Sequence, residues 1–189
     1  MVGAIGIWRY GWAATNFARA LMFKAVAYPR RRRAAFAAYA RHAHPAHAYF
    51  LTTSYKIEPE TTQKVYRSIF AAAQRSAGGA TIVASVVETA DARLIRQIFD
   101  TMHMVGSGVT LIVDQIPGTG KRDALARSLR LIARQAPSRR DVVILVDGDS
   151  CVPGDIVDKA APFFTDPRVG ALTTDERVEI KRASAFRDW

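Results

Sequence analysis

From residue 48 onward the chain alternates short apolar, β-branched runs with helical stretches of roughly 12–16 residues, and this alternation constrains the fold most. Strands are expected at Ala48–Thr53, Ala80–Val87, Val109–Val113, Asp141–Val146 and Val169–Thr173. Helices are expected from the Glu58-Pro59-Glu60-Thr61-Thr62 start to Arg75, and over Ala90–Met102, Lys121–Ala136 and Pro153–Phe164. Acids and a proline suit the first turn of the first of these, and Gly78-Gly79 suits its end. Strands joined through helices of this length form right-handed crossovers. The expected class is therefore α/β, with a βαβ sheet that is at least partly parallel and carries helices on both faces.

The fourth strand carries the most chemistry. Val142-Val143-Ile144-Leu145-Val146 runs straight into Asp147-Gly148-Asp149-Ser150. Five apolar residues in a row read as a strand buried on both faces of a parallel sheet. Ligands of open α/β sheets gather at the carboxyl ends of such strands, where this run delivers two carboxylates. With Gly148 between them adding no bulk, Asp147 and Asp149 can approach one hard cation or a hydroxyl-rich ligand together. Magnesium or manganese would suit one carboxylate plus phosphate oxygens and waters. The pattern points to a metal–diphosphate site.

Three other strand ends should reach the same edge. The first offers Thr52-Thr53-Ser54-Tyr55, the second Glu88, and the third Gly118-Thr119-Gly120-Lys121-Arg122-Asp123. The last is not a P-loop: residue 115 is Gln where that motif needs Gly, and Arg122 stands where it needs Ser or Thr. It still places Lys121 and Arg122 at a helix N-terminus, where anions bind well. No G-x-G-x-x-G follows the first strand, which argues against a dinucleotide site.

Charge separates the chain into two parts. The net charge is +10, yet residues 1–48 hold eight basic side chains and no acid, leaving nineteen basic against seventeen acidic residues in the remainder. The longest uncharged run of the arm, Tyr10–Ala18, is far too short to span a bilayer. Arg9, Asn16 and Lys24 share one side of a helix, imperfectly because Trp12 and Phe23 blur it. Such a helix suits a lipid headgroup boundary, and Arg30-Arg31-Arg32-Arg33 suits an anionic cytoplasmic leaflet. A docking helix followed by a solvated basic linker is the plainer reading. A nucleic-acid arm is disfavoured, because no recognition motif accompanies the charge. No secretory signal pattern opens the chain. The His42-Ala43-His44-Pro45-Ala46-His47 stretch reads as solvated linker, since no carboxylate or cysteine supports a metal site. The lone Cys151 excludes an internal disulfide.

At Tyr49-Phe50-Leu51-Thr52-Thr53-Ser54-Tyr55, Glu60-Thr61-Thr62, Gly118–Asp123, Asp147-Gly148-Asp149 and Gly170-Ala171-Leu172-Thr173-Thr174, the chain resembles family 2 glycosyltransferases. Within that family the likeness is strongest to the bacterial mannuronan (alginate) synthases, and Ile7-Trp8-Arg9-Tyr10 and Tyr28-Pro29-Arg30 look like their membrane-proximal lead-in. The resemblance implies a GT-A fold and a nucleotide-diphospho-sugar donor, GDP-mannuronate in preference to a UDP-sugar. It also implies a growing polysaccharide acceptor, Mg2+ or Mn2+, and a place on the cytoplasmic face of the inner membrane. By position, Thr53 and Tyr55 would line the nucleotide pocket and Glu88 would contact base or ribose. Lys121 and Arg122 would form the basic loop over the donor, Asp147 would contact the donor, and Asp149 would bind metal. The implied layout is a membrane-proximal helix and basic run over 1–33, a linker over 34–47, and the nucleotide-sugar-binding part of a GT-A domain over 48–189. The family's acceptor-activating base and donor clamp have no counterpart up to Trp189; Asp175-Glu176 follow the fifth strand too closely to serve. That implies a truncated chain holding only the donor half, the alternatives being a non-processive family 2 transferase or an inert nucleotide-binding fragment.

Overall fold

The computed structural model of the chain describes residues 2–41 and 45–174. A helical rod comes first: α1 (Val2–Met22), one π-helical turn (Phe23–Ala27) and α2 (Tyr28–Tyr39). Four strands then alternate with helices: β1 (Ala48–Ser54), α3 (Pro59–Gln74), β2 (Ala80–Val86), α4 (Thr89–Thr101), β3 (Val109–Gln115), α5 (Lys121–Arg134) and β4 (Val142–Asp147). A short α6 (Ile156–Ala160) and a 3-10 turn (Ala161–Thr165) follow. The sheet order is β3-β2-β1-β4 and every pairing is parallel. The expected α/β architecture with helices on both faces is what forms.

Pleating explains the two-sided core. Phe50, Ile82 and Ala84 face α3 and α4, where Tyr66, Ile69, Phe70 and Ile95 meet them with essentially no solvent exposure. Buried α3 positions recur at 62, 65, 66, 69, 70 and 73, the spacing of one helix face. Phe70 sets its ring edge-on to Phe99 at 5.4 Å. Burying each of these large side chains contributes roughly 1.5–3 kcal/mol. On the opposite face a smaller cluster joins Tyr49, Leu51 and Val83 to Ile132 of α5.

Four expectations need correction. β4 is not buried on both faces: Val143 is 42% and Leu145 62% exposed. β4 is the outer strand, and α5 packs chiefly over β1 and β2, leaving Val143 and Leu145 uncovered. No strand forms at Val169–Thr173, because an extended segment becomes a strand only when a neighbour pairs with its backbone groups, and this one finds none among the described residues. Pro153–Phe164 is not one helix but α6 and the 3-10 turn, broken where Pro162 cannot donate to the ladder. The linker expected over 34–47 is helical through Tyr39, since the alanine-rich segment after Arg33 extends α2.

Helix α2 docks at both its ends. The Tyr28 ring stacks on Phe163 at 6.0 Å, and the Tyr39 hydroxyl accepts the Ala46 N–H at 3.1 Å. His47 is not solvated linker either: it is half-buried, with its ring bonded to the Gly78 carbonyl and the Thr81 hydroxyl, both at 3.0 Å. His42, His44 and Asp175-Glu176 lie outside the described residues. By contrast α1 stands clear, with Trp8, Tyr10, Trp12 and Phe17 all more than half exposed. Among the described residues no helix is long and apolar enough to cross a membrane.

Candidate functional site

A cleft of about 370 Å³ opens at the carboxyl ends of the strands. Its walls come from the end of β1 and its continuation (Thr53, Ser54, Tyr55, Ile57), from Ser85 of β2 and Val87 just beyond it, from Ile116, Gly118 and Gly120 after β3, from Lys121 and Ala124 of α5, and from Asp147-Gly148-Asp149 ending β4. The volume lies within the range of ordinary small-ligand pockets.

Gly148 is what brings the two carboxylates to the cleft. It is buried against β1, and a Cβ there would lie 2.9 Å from the Thr53 carbonyl oxygen and 3.0 Å from the Ser54 hydroxyl. Only a residue without a side chain lets the turn press this closely on its neighbour. Ser150 N–H donates to the Asp147 carbonyl at 3.0 Å and closes the turn.

The sheet register places four polar residues in one row. Asp114 of β3 sits beside Ser85 of β2, Ser85 beside Thr53 of β1, and Thr53 beside Asp147 of β4. All four project towards α5, which bonds three of them. Arg127 donates to both carboxylate oxygens of Asp114 at 2.8 and 3.3 Å, and the Ser128 and Ser85 hydroxyls are 2.5 Å apart. Lys121 Nζ reaches the Asp147 carboxylate at 2.5 Å. Among the described residues Thr53 alone in the row makes no side-chain bond to α5, and it lines the cleft.

The helix start is built for this. Gly120, the residue before α5, has φ 112°, which a side chain would strain, and the Thr119 hydroxyl donates to Asp123 at 2.6 Å. Lys121 is the first residue of α5, where free backbone N–H groups and the helix dipole favour anions. An ammonium, helix-start amides, two carboxylates and a hydroxyl with no bond among the described residues thus share one open cleft.

The matching family is described as "Glycosyltransferase like family 2", and the match runs over residues 45–189. The chain belongs to glycosyltransferase family 2. It is 36% identical over 190 residues to "Glycosyltransferase alg8" of Pseudomonas syringae pv. tomato, an alignment covering 100% of this chain and 38% of that protein. To the protein of the same name from Azotobacter vinelandii it is 36% identical over 166 residues, 88% of this chain and 33% of that one. The chain therefore spans about a third of the length of the curated relatives it matches.

Five of the seven residues expected in a family 2 donor site line the cleft: Thr53, Tyr55, Lys121, Asp147 and Asp149. Glu88 and Arg122 stand just outside it. Glu88 is the exposed cap of α4, one residue past the wall residue Val87, and Arg122 is exposed beside Lys121. Glu88 acts on its own helix: burial first, and then the nearby Glu88 carboxylate, raise the pKa of Asp91 above its ordinary value. Sequence reasoning passed over Ser85, Asp114, Arg127 and Ser128. Asp114 and Ser85 carried a faint signal, each being a polar residue interrupting an otherwise apolar strand. Among the described residues no three His, Cys, Asp or Glu side chains gather as a self-sufficient metal cage.

Proposed function

We propose that the cleft binds a nucleotide-diphospho-sugar and a divalent cation, Mg2+ or Mn2+, as the donor half of a membrane polysaccharide synthase. The observation that carries this reading is the convergence of Thr53, Tyr55, Lys121, Asp147 and Asp149 on one cleft at the strand ends. With no cage of three His, Cys, Asp or Glu side chains among the described residues, one carboxylate fits a cation whose remaining positions are filled by donor phosphates and water. When bound, such a cation neutralises the diphosphate as it leaves the sugar. Asp149 is the metal ligand and Asp147 orients the donor. Lys121, assisted by Arg122 at the rim, receives the phosphates at the helix start. Thr53 bonds the nucleotide through its hydroxyl, the exposed ring of Tyr55 offers a face for the base, and Glu88 reaches its outer edge.

The donor is GDP-mannuronate in preference to a UDP-sugar, as the likeness to mannuronan synthases implies, and the acceptor is the growing polysaccharide. The exposed aromatic residues of α1, with seven basic side chains and no acid from Arg9 to Arg33, support a site held against the cytoplasmic membrane surface.

Calorimetry with GDP, UDP and Mn2+ tests the reading. Metal-dependent nucleotide binding is expected in the wild type and is lost in Asp149→Ala. A wild-type chain that binds neither nucleotide would sink it.

A further inference from the structure

We propose that Asp114, Arg127, Ser85 and Ser128 are positioning residues that set where Lys121 can act. The inference rests on the donor reading above, since it concerns what delivers that ammonium to the diphosphate. Three bonds stitch α5 to the polar row of the sheet, and they differ in kind. The Ser85–Ser128 bond is dry, with the two residues 1% and 0% exposed. The Asp114 carboxylate is only 14% exposed and takes Arg127, whose own side chain is 49% exposed, through two nitrogens. Lys121 and Asp147, at the N-terminal end of the helix, are 60% and 61% exposed.

An ion pair that open to water is too weak to hold a helix in place. The forked arginine pair, shielded at its carboxylate end, and the buried hydroxyl pair are geometrically exacting. Arg127 and Ser128 are adjacent and reach adjacent strands, so together they fix both the roll and the axial position of α5. A slip of one residue would move Lys121 by about 1.5 Å and turn it by about 100°. These two stitches, one dry and one forked, therefore aim the lysine, and its own contact with Asp147 remains free to exchange for a ligand.

The test uses the full chain. GDP affinity with Mn2+ and the unfolding midpoint are measured for Asp114→Asn, Arg127→Lys and Ser128→Ala, each alone and combined with Lys121→Ala. If the stitches act through Lys121, each single variant weakens nucleotide binding by about tenfold under conditions where it remains folded. Adding the same change to Lys121→Ala then costs no further affinity, although it still lowers the unfolding midpoint. A purely structural role predicts lowered midpoints with unchanged affinity in the folded protein, or equal losses with and without Lys121; either result overturns the proposal. A crystal structure of Arg127→Lys supplies a ligand-independent measurement. Loss of the Lys121–Asp147 contact supports positioning and its retention overturns it, even if the wild type binds no nucleotide and the donor reading fails on its own.

Discussion

Gly148 separates the two cleft carboxylates, and the space its missing side chain leaves is taken by the end of β1. In Gly148→Ala the new methyl group would press on the Thr53 carbonyl, a backbone atom that cannot swing aside. We expect the variant to lose roughly 1–3 kcal/mol of stability, measured by urea unfolding. Its nucleotide affinity should fall as well, because the turn carrying Asp147 and Asp149 has to move. Unchanged stability and binding would show that the close approach is dispensable. The pair of aspartates after an apolar run was plain in the sequence. That the residue between them has to be glycine was legible only as an absence of bulk between two acids. The contact that requires it lies 95 positions away in the chain, at Thr53, and no local pattern encodes that approach. Ser85 and Ser128 were equally hidden, since a serine in a strand and another in a helix carry no mark that they meet.

At the scale of elements, existence and type were well encoded, and neighbourhood was not. Four strands and the helices between them followed from periodicity, glycines and prolines. β4 shows the limit: a run of five apolar residues reads as a central strand, yet it occupies the edge with Leu145 in solvent. Hydrophobicity reports what a segment can bury, whereas its place in the sheet decides what covers it. The Val169–Thr173 segment fails for a related reason, as a strand needs a partner. Helix α4 yields a pH prediction. Asp91 lies buried in its first turn, and burial together with Glu88 raises its pKa above the unfolded value of about 3.9. The folded chain thus holds this proton more tightly than the unfolded chain. Its contribution to stability is complete below about pH 3.9 and is lost as the pH rises through the raised folded value. Asp91→Asn should therefore be more stable than wild type at pH 7 and no more stable at pH 3, as urea unfolding at the two pH values will show. A variant less stable at pH 7 would mean that the carboxylate serves the helix N-terminus more than burial costs it.

At the scale of the whole molecule, the nearly neutral α/β body and the basic helical rod are joined by the Tyr28–Phe163 stack and the Tyr39–Ala46 bond. The rod carries the excess charge and the exposed aromatic residues. It should bind vesicles containing anionic lipid, with about 1 kcal/mol from each basic residue at the surface. Binding should weaken as salt is raised and disappear when residues 1–33 are removed, as vesicle co-sedimentation can measure. Retained binding by the shortened chain would move the lipid contact to the body. The sequence by itself determined the α/β class, the family, the separation of charged arm from neutral body, and the residue types that meet at the strand ends. Those depend on local periodicity, turn chemistry and motif spacing, which neighbouring residues carry between them. Only the tertiary structure decided that β4 is an edge, that α2 runs on to dock its helix, and that one row of Asp114, Ser85, Thr53 and Asp147 is stitched to α5. Those depend on which strands become neighbours and in what register, and backbone pairing between segments distant in the chain settles that.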